Sequence, residues 1–303
     1  PRVRRILYQQ VVAPLRSGAS TVILSPGDQA PTWGTSRLIF VIHDVRRLAR
    51  PETSAGGAEA FYYRWVMRIG AARADAILTI SQFSRDQIDR HLSPGGPIST
   101  VAEQPETIVP VTPGSGPESD PYVFLVVGAL RRYKGLETVV AALPGVKDAG
   151  VNVTVRLVGD AEGDRGLVDR IRSLAEDRQV ADSLELLGWQ SDDQLDRLYR
   201  SSHGTISPST YEGYGLSVTT SLAYGLPTVA SEIPPHRETG GEAVAYFQPG
   251  DAERLTEILL DLASDPDNRR RRAEAALVRH RELVAESRPW DDAINAALEG
   301  LPR

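Results

Sequence analysis

The chain is expected to adopt an α/β fold with parallel sheets and helices on their faces. Three observations point there. Short apolar runs alternate with helix-patterned segments along most of the 303 residues, and the order strand, helix, strand, helix is that of parallel strands joined by crossovers. Proline and glycine then interrupt the pattern over residues 105–121, PETIVPVTPGSGPESDP, where five prolines and two glycines read as a linker. The same alternation resumes beyond it, so two domains share the length, as a chain of this size favours.

Taken in order, residues 1–16 read as a helix whose basic residues form a solvated face rather than a lipid patch. Residues 21–24 and 38–42 are short buried strands, the second running into His43 and Asp44. A helix over about 57–73 carries the aromatic cluster Phe61, Tyr62, Tyr63 and Trp65, residues 76–80 form the next strand, and Ser81 opens the helix after it. Beyond the linker, residues 122–127 (YVFLVV) are a buried strand, 128–134 the turn into a helix over 136–143, and 151–158 a strand ending in Gly159 and Asp160. Leu167, Ile171 and Leu174 share one face of the following helix. Residues 184–187 form a strand leading to Gly188 and Trp189; Ser191 is expected to cap the next helix, with Gln194 completing a capping box. Residues 203–206 are one more strand. Towards the end, Leu255, Ile258, Leu259 and Leu262 mark a packed helix, 268–285 a charged amphipathic one, and Arg288-Pro289-Trp290 a break before the last.

The most informative stretch is 207–227, SPSTYEGYGLSVTTSLAYGLP. It opens with a turn, passes Glu212, crosses Gly213 and Gly215, and then runs about ten residues without proline or glycine, which reads as a helix stopped by Gly225 and Pro227. A glycine-rich turn emptying into a helix presents unpaired N–H groups and the positive end of the helix dipole, a seat for phosphate. A tight turn that merely needs glycine accounts for the same spacing. His43 sits at the carboxyl end of a predicted strand, where open α/β sheets place ligands, although a lone histidine is more often structural or simply exposed. Lys134 stands at a helix start, where the dipole disfavours a cation and so argues for an anionic ligand beside it.

The string PSTYEGYGLSVTTSLAYGLPTVAS resembles the donor-site signature of retaining glycosyltransferase family 4, the glycosyl transferases of group 1, in its mannosyltransferase-like form. The resemblance implies a GT-B fold of two Rossmann-like domains, with the acceptor in the first and a nucleotide-diphosphate sugar in the second. It implies that Glu212 holds hydroxyls of the donor sugar, and that backbone amides along Gly213, Tyr214, Gly215, Leu216 and Ser217 hold the diphosphate. GALRRYKGLE resembles the family element that brings a lysine, here Lys134, to the diphosphate; the arginine usual after its glycine is Ala129, with Arg131 or Arg132 as substitutes. LGWQS resembles the turn beside the nucleotide base, where Gly188 and Trp189 fall; Trp189 either stacks on the base or packs into the core. SPGDQAP, VIHD and ADAILTISQFSRDQI resemble the second half of the acceptor domain, which brings His43 beside the donor sugar as a catalytic candidate together with Glu212. SEIPPHRETGGEAVAYFQPGD resembles a segment in which His236 and Arg237 serve loop architecture.

Thr220 departs from the pattern, since the family's second glutamate, eight positions after the first, grips the ribose diol. A carboxylate lost there costs around tenfold in affinity. The first strand, its glycine-rich loop and the first helix of the family have no counterpart before Pro1, so the N-terminal domain reads as incomplete. The implied division is a partial acceptor-side domain over 1–105, a linker over 106–120, a nucleotide-sugar-binding domain over 121–285, and a C-terminal helix over 286–303 that returns to the first domain.

The resemblance implies a retaining hexosyltransferase moving a hexose from a GDP- or UDP-linked donor to a saccharide or lipid-linked acceptor, as in cell-envelope polysaccharide synthesis. No cofactor and no metal is expected, and the sequence has neither an HExxH nor a DxD-like carboxylate pair placed for one. Thr220, Ala129 and the shortened first domain keep open a nucleotide-sugar-binding or regulatory homologue without turnover. A dinucleotide oxidoreductase would want GxGxxG after a strand with an acid ~20 residues on, and there is none. The net charge of -6 argues against nucleic acid. The absence of cysteine excludes disulfides and thiolate nucleophiles. No apolar run approaches the ~18 residues of a membrane helix and none resembles a signal-peptide core, so a cytoplasmic protein is expected, with peripheral contact at the inner face of the membrane left open.

Overall fold

Two parallel sheets carry the structure, a computed structural model that describes residues 2–27, 29–53, 57–102, 108, 110–111, 121–161 and 164–301. They belong to two compact units, the first Pro1–Glu103 with Ser287–Arg303, the second Gln104–Glu286. Almost all of the expected linker lies outside the described residues.

The first unit begins with α1, helical over Arg2–Leu7, wound as a π-helical turn over Tyr8–Val12, and α-helical again over Ala13–Arg16. Gln10, within the π turn, ties this rod to the following loop. Its amide donates to Ala30 O at 2.8 Å and accepts from Thr32 N and Oγ1 at 3.1 and 2.9 Å. The sheet follows as β1 (Val22–Ser25), β2 (Arg37–Val41), β3 (Ala76–Thr79) and β4 (Ile98–Thr100), in that spatial order and all parallel. Three helices intervene: α2 (Arg46–Ala49), α3 (Ala58–Arg73) and α4 (Gln82–His91).

Side chains alternate across β2, as a strand requires. Leu38, Phe40 and Ile42 pack with Tyr63, Met67 and Ala71 of α3. Ile39 and Val41 face the other way, onto Ala293 and Ile294 of the last helix, α12 below. That is why residues 38–42 read as one unbroken apolar run: both sides of the strand are covered. Ser81 caps α4 by accepting from Ser84 N. Of the aromatic cluster on α3, Tyr63 is buried while Phe61 and Trp65 are exposed.

The second unit holds β5 (Tyr122–Val127), α5 (Leu136–Asp148), β6 (Val153–Val158), α6 (Arg165–Asp177), β7 (Leu184–Gly188), α7 (Asp192–Arg200), β8 (Gly204–Ser207), α8 (Leu216–Tyr224), β9 (Thr228–Ser231), α9 (Pro234–Gly240) and β10 (Ala245–Phe247). Then come α10 (Ala252–Ser264) and α11 (Pro266–Glu286), and α12 (Trp290–Glu299) belongs to the first unit. The sheet order is β10-β9-β8-β5-β6-β7, all parallel, the doubly wound arrangement of a Rossmann-like domain. The Ser191 capping box on α7 is formed in both directions. α5 runs five residues beyond the expected end at 143, through Pro144. The ring forfeits one helical bond, but Leu143 and Val146 are both buried in the core, and the Thr256 hydroxyl donates to Ala142 O at 2.9 Å. No helix among the described residues is long and apolar enough to cross a membrane.

Candidate active site

β5 and β8 lie side by side at the centre of the second sheet, Phe124 opposite Gly204 and Leu125 opposite Thr205. From that pair the strand order runs outward both ways, through β6 and β7 on one side and β9 and β10 on the other. Their carboxyl ends therefore open at a topological switch point, the position where such sheets bind ligands. The loop leaving β5 carries Lys134 and the loop leaving β8 carries Glu212, and the two side chains meet. Lys134 Nζ stands 2.6 Å from Glu212 Oε1, with the side chains 17% and 16% exposed. Ser209 Oγ donates to the same oxygen at 2.6 Å.

Backbone contacts hold the two loops together. Thr210 donates to Tyr133 O from its amide at 2.7 Å and from its hydroxyl at 3.1 Å. Gly135, at φ 65°, lies so close to Pro208 that a Cβ would run into its carbonyl oxygen. Gly128, at φ 148°, leaves room for the lysine, since a Cβ there would come within 3.2 Å of Nζ. An ammonium has three donors, so Lys134 can hold Glu212 and still donate to an anion.

α8 starts directly after this loop. Its N-cap is Gly215 at φ 104°, with no side chain capping the first turn, so the opening amides and the positive end of the helix dipole are presented at the switch point. Gly215 packs against α9, where a Cβ would lie 3.2 Å from His236 Cδ2. The His236 ring is fully buried. Its Nδ1 is 2.9 Å from Ser231 O, and Nε2 is 3.3 Å from Ser207 Oγ. Because a carbonyl only accepts, Nδ1 carries the proton and Nε2 receives the Ser207 hydroxyl. Ser217 Oγ, in the first turn of α8, is 2.8 Å from Ser207 Oγ, which links the helix start to the histidine.

Burial is the largest influence on His236 and draws its pKa below the ordinary 6.5; Glu212 and the Ser231 carbonyl oppose this, and Lys134 adds to it. A histidine kept neutral in the fold but free to protonate when unfolded makes stability fall as pH drops below about 6.5, and contributes nothing above it. His91 and His280 are lowered in the same direction. Urea denaturation of His236→Gln is expected to show a shallower loss of stability than the wild type between about pH 6.5 and 5. An unchanged slope would assign the loss to the other two.

The remaining candidates fall as follows. Gly213 and Tyr214 are in the loop between Glu212 and α8, with Tyr214 buried and Leu216 exposed. Thr220 is half-buried on α8. Gly188, at φ 68°, ends β7 and accepts from Gly159 N at 2.9 Å. Trp189 beyond it is 73% exposed, which removes the core-packing alternative. Arg131 donates to Leu130 O at 2.8 Å and Asp160 O at 3.0 Å, and Arg132 pairs with Asp164 at 3.4 Å. Both arginines are thus engaged towards residues that follow β6. Arg237 pairs with Glu232 and lies over the Tyr246 ring.

His43 belongs to the first unit, at the carboxyl end of β2, where its carbonyl accepts from Ser84 Oγ at 2.9 Å. Asp44 Oδ1 accepts from Arg46 N at 2.7 Å and so starts α2. His43 lines a cavity of about 660 Å³ within that unit. Among the described residues, no group of three or more His, Asp or Glu side chains is gathered as a metal ion would need.

Ser207, Ser209 and His236 were not singled out as site residues by the sequence. For Ser209 a signal existed, a hydroxyl three positions before the carboxylate in SPSTYE, the spacing of a local side-chain cap. For His236 there was none beyond its place in a loop.

Comparison with known proteins identifies the family and the fold. The family model for glycosyl transferases group 1 matches residues 112–279, more than half of the chain. A glycogen synthase of Mycobacterium tuberculosis is 26% identical over 238 residues, covering 78% of this chain and 55% of that protein. The serotype-specific mannosyltransferase WbdA of Escherichia coli is 26% identical over 250 residues, covering 74% of this chain and 30% of that protein. The chain thus spans about half the length, or less, of these curated relatives. Among solved structures, Anabaena Alr3699/HepE in complex with UDP and glucose superposes with a TM-score of 0.71 at 16% identity, covering 87% of this chain and 72% of that one. Sucrose-phosphate synthase from Thermosynechococcus elongatus does so with a TM-score of 0.68 at 21% identity, covering 88% and 66%. The fold of two Rossmann-like sheets is the GT-B type, and the chain belongs to the glycosyl transferases of group 1.

Proposed function

We propose that the second unit binds a nucleotide-diphosphate hexose, GDP- or UDP-linked, and that the protein transfers the hexose with retention to a saccharide or lipid-linked acceptor. The observation that carries this reading is the meeting of Lys134 and Glu212 at the switch point, next to the uncapped start of α8. Lys134 and the amides of Gly213 to Ser217 face the diphosphate, Glu212 takes sugar hydroxyls, and Trp189 at the end of β7 offers its exposed indole to the base. In the reaction the bond from the sugar C1 to the diphosphate oxygen breaks. The acceptor hydroxyl oxygen bonds to C1, and its proton leaves with the nucleoside diphosphate. Charge building on the departing oxygen is what fixed donors stabilise best, and that is the role proposed for Lys134 and the helix start. His43 is proposed beside the sugar.

Thermal unfolding with UDP-, GDP- and dTDP-hexoses tests this. One nucleotide series is expected to raise the melting temperature, since a ligand at about 100 times its Kd adds about 2.7 kcal/mol. No rise with any of the three would overturn the proposal.

A second reading, binding without turnover, rests on Thr220, which stands where the family carries a carboxylate. Thr220→Glu is expected to tighten nucleotide binding about tenfold, read by calorimetric titration. Nucleotide binding without any release of nucleoside diphosphate, in the presence of mixed saccharide acceptors, would favour that second reading.

A further inference from the structure

The cavity beside His43 in the first unit has chemistry that the donor site leaves unused. Its wall includes Gln9 from the π-helical turn of α1, Gln29 from the loop after β1, and Tyr62 from α3. Each of these carries a polar atom closed off from solvent and without a hydrogen-bond partner: Gln9 Oε1, Gln29 Oε1 and Tyr62 OH. Burial without a partner is costly for such groups, and native proteins leave few of them. Three on one cavity wall is a concentration that packing alone does not call for. Burial also raises the Tyr62 pKa, so the phenol keeps its proton as a donor.

The π turn explains how Gln9 comes to be there. Its neighbour Gln10 is clamped to residues 30–33 by four hydrogen bonds. Both glutamines lie within this π turn, a feature that recurs at functional sites.

The same wall carries two guanidinium groups. Arg5 and Arg47 line it, and the Arg47 guanidinium lies 4.5 Å from the centre of the Tyr63 ring. No ion pair to a carboxylate is seen for either arginine among the described residues. A planar guanidinium fork held against an aromatic face is suited to an oxyanion with two coplanar oxygens. Glu59 lines the same cavity, so among the described residues the wall holds two arginines and one carboxylate.

We propose that this cavity binds a polyhydroxylated small molecule bearing one anionic group, a sugar phosphate or a sugar acid, and that this is the acceptor class. The hydroxyls pair with Gln9, Gln29 and Tyr62 once these side chains turn towards the cavity, and the anion pairs with Arg5 and Arg47. The acceptor role rests on the transferase reading above; the binding does not.

Calorimetric titration of the whole protein without nucleotide tests the site, using glucose 6-phosphate, glucuronate, glucose and inorganic phosphate as probes. One of the two anionic sugars is expected to bind at least tenfold more tightly than either glucose or phosphate, and which of them does so tells phosphate from carboxylate. Equal binding of glucose would remove the anion from the proposal, and equal binding of phosphate would remove the sugar; either result overturns it, as does no binding by any probe. Two variants place the ligand. Tyr62→Phe is expected to weaken binding of the preferred probe about tenfold while raising the melting temperature of the free protein, because a stranded hydroxyl is removed. Arg47→Gln is expected to abolish the preference for the anionic sugar. Unchanged affinity in both variants would overturn the assignment to this cavity. Because no donor is present, failure here leaves the donor-site reading standing, and failure of donor binding leaves this site standing.

Discussion

Lys134→Ala is expected to weaken binding of the proposed nucleotide-diphosphate donor by about 10- to 100-fold, the cost of losing the charge-assisted hydrogen bond proposed for it. The same change strands the Glu212 carboxylate, which is 16% exposed and would keep only Ser209 as a side-chain donor. Removing one partner of a fully buried ion pair costs about 3–5 kcal/mol, and this pair, somewhat open to water, should cost on the order of 2–3. The two effects separate in a double-mutant cycle. Lys134→Ala with Glu212→Ala should recover much of the stability measured by urea denaturation, since no uncompensated charge is left, yet recover none of the donor affinity measured by titration. If the double variant bound donor like the wild type, the lysine would be structural and the diphosphate would have to sit elsewhere.

Gly135→Ala is expected to be strongly destabilising, by about 3 kcal/mol or more. A left-handed backbone costs a non-glycine residue about 1–2 kcal/mol, and here the new Cβ would also be driven into the Pro208 carbonyl, which belongs to the loop carrying Glu212. Gly150 is the control: it has φ 74° and nothing within 4 Å of a built Cβ, so Gly150→Ala should cost only the backbone part, about 1–2 kcal/mol. Gly135→Ala should in addition lower donor affinity, because the clash separates the loops that bring Lys134 and Glu212 together. Equal midpoints of urea unfolding for the two variants would show that the loops give way freely.

Much of the second unit was legible before the structure because its signals are local. Gly225 ends α8 in the left-handed conformation at φ 72°, as its place before Pro227 predicts, and the Ser191–Gln194 box needs only three residues of spacing to recognise. In the first unit, the apolar run at 38–42 announced a strand covered on both faces. Local signals misled at Pro144. The expected helix stopped at 143, before Pro144, yet buried Val146 and the bond from Thr256 carry α5 onward, a contact between residues 114 positions apart that no local window contains. Resemblance to a family supplied roles for Lys134 and Glu212, but not Ser209 as their companion or His236 as the buried post under α8.

Read alone, the residues settle the kind of element at each place and where most elements begin, since caps, breakers and periodicity act within a turn or two of chain. Adjacency came only with the folded molecule. β5 pairs with β8 across the sheet, and residues 78 positions apart become an ion pair at 2.6 Å. Likewise the last helix, α12, covers the first sheet through Ala293 and Ile294, a placement set by burial of surface that neither segment could cover alone. Strand order is a choice among long-range pairings of similar local cost, so it is settled by the packing of the whole sheet, and the site at its switch point comes into being only with it.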